Sequence, residues 1–147
     1  MAPFRFALDK ILRWRAIELA SEEAKLQRLI QERARIEAML NRVTNERSGL
    51  AASIGVLPGL QGADFRALAA YNLRLRQHVE KLKEGRTRIE NSLAAQQKKY
   101  ADAKRRLRLL EQLKARRIER WEYEEDRQLE TIAAESYLAG WNRDPES

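Results

Sequence analysis

The 147-residue chain is 35% charged and contains six glycines, three prolines and no cysteine, a balance typical of long solvated helices that excludes disulfides and thiolate metal sites and suits a reducing cytoplasm. Its formal charge of +7 calls for acidic partners, whether nucleic acid, an anionic membrane face or an acidic protein surface, without choosing among them. No apolar run approaches the roughly 20 residues needed to span a bilayer, and Arg5, Asp9, Lys10, Arg13 and Arg15 interrupt any signal-like apolar stretch after Met1, so a cytosolic protein is expected.

The first predicted element is a helix over residues 5–53. It opens on an irregular apolar face of Leu8, Leu12, Ala16 and Leu19 and settles into a heptad stripe of Leu26, Leu29, Arg33, Ile36, Leu40, Val43, Arg47 and Leu50. Steps of three and four keep one narrow seam toward a partner helix. A turn follows over residues 54–63, where three glycines and Pro58 end the helix by loosening the backbone and removing a donor. Asp64 is the expected N-cap of the second helix, residues 64–139. That helix carries the seam Leu75, Val79, Leu82, Arg86, Ile89, Leu93, Gln96, Tyr100, Ala103, Leu107, Leu110, Lys114, Arg117 and Trp121, then a looser stripe of Leu129, Ile132 and Leu138.

So short a turn folds the helices back on each other. The fold expected is all-α, a long two-helix antiparallel coiled-coil hairpin forming a single domain over residues 1–147 with a short C-terminal tail. At 1.5 Å per residue the helices reach ~75 and ~115 Å. Pairing centred on the turn sets Phe4 to Phe6 near Glu111 to Leu113, with about 25 residues of the second helix projecting beyond its partner. The polar seam residues Arg33, Arg47, Arg86 and Gln96 read as register-setting positions whose long stems reach outward.

The sequence holds no catalytic constellation. His78 is the single histidine, beside seam residue Val79, and reads as structural. No G-x-S-x-G elbow and no phosphate-cradling glycine loop occurs. Glu122, Glu124, Glu125 and Asp126 point around the helix rather than converging on a metal. The expectation is no enzyme, no cofactor, no metal and no small-molecule substrate.

What stands out instead is charge and aromatic placement. From Lys98 to Arg120 there are ten basic and three acidic residues, and from Trp121 to Glu135 six acidic and one basic. Trp14, Trp121 and Trp141 all fall toward the chain termini, and Trp and Arg are enriched at binding hot spots. This end is the expected docking end, its tryptophans left without a partner from the first helix by the overhang. A second candidate surface lies at the start of the second helix, where Phe65, Leu68, Tyr71, Asn72 and Leu75 form an apolar-aromatic face; Phe65 and Tyr71 are the anchors expected to be partly exposed.

The opening Phe4-Arg5-Phe6-Ala7-Leu8-Asp9-Lys10-Ile11-Leu12-Arg13-Trp14-Arg15, with Glu18, Glu22, Glu23 and Ala24 after it, is similar to the start of the flagellar export FliJ family, whose members often begin F-x-F-x-L. Leu113-Lys114-Ala115-Arg116-Arg117 and Leu129-Glu130-Thr131-Ile132-Ala133-Ala134 match in style, so the resemblance covers nearly the whole chain. It implies a two-helix coiled coil similar to the γ stalk of rotary ATPases, with three kinds of partner: the hexameric flagellar export ATPase, the membrane export gate protein and export chaperones. It also implies a peripheral position at the cytoplasmic face of the inner membrane. On this reading Arg13, Trp14, Arg15, Lys114, Arg117 and Trp121 meet the ATPase ring, and Phe65 and Tyr71 meet the gate.

Three rivals stand beside it. The equivalent stalk of a virulence-type secretion system shares the pattern. The stalk of a rotary ATPase proper carries an added α/β domain that this chain lacks. A basic nucleic-acid-binding coiled coil would use the Lys98–Arg120 block for phosphates, but Lys104, Arg105, Arg106 and Arg108 scatter around the helix and no reading module is present, so nucleic acid is not the expected partner; a plain spacer or dimerising coiled coil is the variant of this rival without phosphate contacts.

Overall fold

The computed structural model describes residues 2–54, 59 and 61–143. Two helices account for nearly all of them: α1, Asp9–Ile54, and α2, Gly62–Arg143. No strand occurs among the described residues. The fold is all-α, a hairpin of two long helices packed against each other.

Both helices start differently from the sequence expectation. α1 begins at Asp9 rather than residue 5. Residues 2–6 are non-helical, and the Leu12 amide makes the first helical hydrogen bond, to Leu8 O at 2.9 Å. Asp9 in the first turn places a carboxylate where the helix dipole favours it. α2 begins at Gly62, so Asp64 is not the N-cap. Gln61 occupies that position, its carbonyl accepting from the Asp64 and Phe65 amides at 3.0 and 3.1 Å. Asp64 instead reaches back to accept the Gln61 amide at 3.1 Å, the third-residue half of a capping box. Of the expected turn, Gly55, Val56, Leu57, Pro58 and Leu60 lie outside the described residues. Gly59 has φ +85°, the left-handed region that glycine enters without strain.

The chain divides into two compact units, Ala20–Asp102 and Met1–Leu19 with Ala103–Ser147. In the first, Leu40, Val43, Leu75 and Val79 form the buried core, with Ile36, Leu50 and Leu82 packed against it. Leu93 and Gln96 are buried as well. These are seam positions, so the heptad reading locates the core. Three of the polar seam residues in this unit find partners. The Gln96 amide donates to Glu22 O at 3.0 Å and to the Glu22 carboxylate, satisfying a buried polar group that would otherwise be costly. Arg47 Nε donates to Asn72 Oδ1 at 3.3 Å. Arg33 is exposed and reaches Glu37 at 3.4 Å and Glu90 across the seam at 3.8 Å.

In the second unit only Phe6 and Ala103 are fully buried among the described residues. Leu8, Leu12, Leu19, Leu107, Leu110 and Trp121 are half-buried along the same seam. The expected register is corrected here. Phe4 packs on Trp121, and Phe6 lies beneath Arg117, rather than opposite Glu111 to Leu113. The helical pairs already carry part of this offset, Asp9 meeting Lys114 and Glu18 meeting Arg106, and the non-helical start adds to it: an extended residue advances ~3.3 Å against ~1.5 Å in a helix, so residues 2–6 reach further along α2 than a helix would. Beyond Trp121 the side chains through Asn142 are exposed except half-buried Glu125.

Candidate partner-binding surfaces

The terminal unit gathers aromatics and cations. The Phe4 and Trp121 rings are tilted at 59° with centroids 6.1 Å apart, a favoured aromatic geometry. The Arg117 guanidinium lies 5.7 Å from the Phe6 ring centre, and that of Arg15 lies 4.6 Å from Trp14, both within cation–π range. Asp9 accepts from Arg13 at 2.8 Å and from Lys114 at 3.3 Å. These two hydrogen bonds hold its carboxyl below the usual range. Glu18 similarly joins Arg15 at 2.8 Å and Arg106 at 3.3 Å.

All six residues singled out for this end therefore lie in one unit. Lys114 and Arg13 share Asp9, while Arg117 and Trp121 meet the N-terminal phenylalanines. Trp14 stands apart on the solvent side, 55% exposed, stacked only by Arg15. Trp121 is not unpartnered as the overhang reading required, because Phe4 covers it. Trp141 is 73% exposed, and Tyr123 and Tyr137 are exposed too. Sequence reasoning missed Phe4, Phe6, Asp9 and Glu18 as members of the cluster. The F-x-F spacing was a usable signal, since alternate residues of an extended segment face one side.

At the turn-proximal start of α2, Phe65 is 49% exposed and Tyr71 37%. Leu75 belongs to the core, and Leu68 and Asn72 are half-buried. Tyr71 is tethered: its hydroxyl donates to the Glu46 carboxylate of α1, and that hydrogen bond raises its pKa. Phe65 is thus the more available anchor of the two. Among the described residues no group of three or more His, Asp or Glu is placed to hold a metal, and no helix is long and apolar enough to cross a membrane. His78 is exposed at the edge of the seam.

Comparison with curated proteins and with solved structures gives no match. A family model described as the flagellar FliJ protein matches residues 4–129, from the first phenylalanine of the aromatic cluster to beyond Trp121. The chain belongs to the flagellar FliJ protein family, non-catalytic components related to flagellar export.

Proposed function

We propose that this chain is the stalk of a flagellar export apparatus, docking by its terminal unit into a hexameric export ATPase. The observation that carries the reading is the set of aromatic and cation contacts in the terminal unit, Phe4 with Trp121, Arg117 with Phe6 and Arg15 with Trp14, next to the Lys98–Arg120 stretch of ten basic and three acidic residues. Such a surface suits acidic or carbonyl-rich loops lining a pore, since guanidinium groups bind carboxylates in a fork and remain charged at any working pH. Aromatic rings alongside supply apolar anchoring of the kind found at interface hot spots.

In this proposal the ring's ATP turnover tilts or rotates the stalk, and the stiff helices pass the movement to a membrane export gate and to chaperones. The gate contact is Phe65, with Tyr71, held by Glu46, further along α2. The protein works at the cytoplasmic face of the inner membrane and catalyses nothing itself.

The test is to mix the purified chain with the export ATPase of the same organism and follow hydrolysis and ring assembly. Stimulated turnover with hexamers appearing supports docking. The triple charge reversal Arg13→Glu, Arg15→Glu, Arg117→Glu is expected to abolish stimulation while helicity by circular dichroism stays within a few per cent of normal, an approximate bound set by the weak contribution of exposed ion pairs. Unchanged stimulation by that folded variant rules the assignment out.

A further inference from the structure

Of the four charged or amide residues on the heptad seam between Ala20 and Asp102, three have partners that account for them. Gln96 is held by Glu22, Arg47 Nε by Asn72, and Arg33 by Glu37 and Glu90. The fourth, Arg86, is half-buried on the seam and has no hydrogen-bond or ion-pair partner among the described residues. It lines a groove with Lys83, Arg47, Asn41 and Thr44, floored by Leu40 and Val79. Helical side chains lean toward their own N-terminus. Because α1 and α2 run antiparallel here, Arg47 leans in from one end of the groove and Lys83 and Arg86 from the other. Three cations therefore line one groove over an apolar floor.

No carboxylate lines this groove. Two nearby carboxylates on α1 are engaged elsewhere, Glu37 by Arg33 and Glu46 by the Tyr71 hydroxyl. Like charges gathered where water is partly excluded repel one another more than on an open surface, so a bound counter-charge would relieve them. We propose that the groove between Leu40 and Val79 is a binding site for a phosphate-type oxyanion. The terminal nitrogens of Arg47 and Arg86 supply forked donors, Lys83 supplies a point charge, and the Asn41 amide and Thr44 hydroxyl supply neutral donors at the rim. The phosphate comes either free in solution or as the terminal group of a nucleotide. The site lies wholly within Ala20–Asp102 and does not depend on the ring-docking proposal.

The experiment titrates the full chain, with carbon-13-labelled methyl groups, against inorganic phosphate and separately against ADP, at constant ionic strength in chloride. Saturable shifts of the Leu40 and Val79 methyl resonances are expected. Saturation by phosphate assigns the free ion, and saturation by ADP alone assigns the nucleotide. Arg86→Gln should weaken binding about tenfold or more, the scale of one lost charge-assisted hydrogen bond. Arg116→Gln, which removes the same charge from an exposed position outside the groove, should leave binding unchanged. Lys83→Gln, at an exposed position, gives the same reading as Arg86→Gln if the latter disturbs folding. Shifts that rise without saturating, or equal weakening by Arg86→Gln and Arg116→Gln, overturn the proposal.

Discussion

Between Ala20 and Asp102, Leu40, Val43, Leu75 and Val79 are buried together, whereas the terminal unit buries only Phe6 and Ala103 among its described residues, links its helices through Asp9 and Glu18, and stacks Arg117 on Phe6 of the extended segment. Burying a large aliphatic side chain contributes about 1.5–3 kcal/mol. An exposed ion pair contributes about 0–1 kcal/mol, and an exposed cation–π contact about 0.5–1 kcal/mol. The same heptad spacing thus yields a cohesive seam in one unit and a loosely held one in the other. The looser unit also keeps its tryptophans and arginines near solvent, where a partner can use them. Cohesion and availability trade against each other along the same pair of helices.

Hydrogen exchange should show the contrast at its largest. Amides around Leu40, Val43, Leu75 and Val79 are expected to exchange only on global unfolding, while those of residues 129–142, whose side chains are exposed, should exchange orders of magnitude faster through local opening. Equal protection in both segments would erase the distinction drawn between the units. Next in size is Leu40→Ala, expected to lower stability by about 2–4 kcal/mol through lost burial and a residual cavity, read from a denaturant melt. Trp14→Ala, at a 55% exposed position, should cost under about 1 kcal/mol in the same assay, because surface substitutions rarely cost more and a cation–π pair is weak in water.

Ala103, only 1% exposed, sharpens the picture within the terminal unit. Ala103→Leu forces extra methylenes into the one tight spot of that seam and should destabilise by about 1–3 kcal/mol. A neutral result would mean that the helices separate there without penalty.

The smallest effects are in pH. Hydrogen bonds from Arg13 and Lys114 lower the Asp9 pKa from 3.8, so its stabilisation is present above the unfolded carboxyl range and disappears as pH falls through the still lower folded value. Asp9→Asn should remove this acid-side loss at the terminal unit, followed by tryptophan fluorescence. Tyr71 behaves in the opposite sense. Its pKa is raised above 10.0 by Glu46, so its stabilisation is complete below pH 10 and is lost as pH climbs through the raised folded value. A Tyr71→Phe variant should therefore melt with less dependence on pH in that alkaline range than the parent. Glu22, lowered chiefly by the Gln96 amide, adds an acid-side component to the better-packed unit.

Much of this was legible in the residue order. The α2 seam from Leu75 to Trp121 is buried or half-buried at every chosen position except Arg117, and the α1 seam at every position except Arg33. Spacing sufficed there because a strip between two helices is defined by periodicity alone. The ends were less legible. Asp64 attracts an N-cap assignment by residue type, yet it acts from the third helical position, because a carboxylate reaches back to the Gln61 amide equally well. The cluster at the termini was half seen: its arginines and tryptophans were named, while Phe4 and Phe6 were passed over as partners. Their position depends on residues 2–6 being extended, a feature that helix-forming composition obscures.

By itself, the sequence determined that the chain is two helices with a glycine-proline break, which faces carry the seam, and where opposite charges are blocked out. Those properties follow from local propensity and period, which each segment carries within its own few residues. The tertiary structure alone decided that Phe4 covers Trp121, that Arg13 and Lys114 share Asp9, that Tyr71 is tethered to Glu46, and that Arg86 lines one groove with Arg47 and Lys83. Each of these joins residues on different helices or on a helix and the extended segment. Their meeting depends on the relative register of the paired helices, a quantity set by packing between segments and not by any one of them.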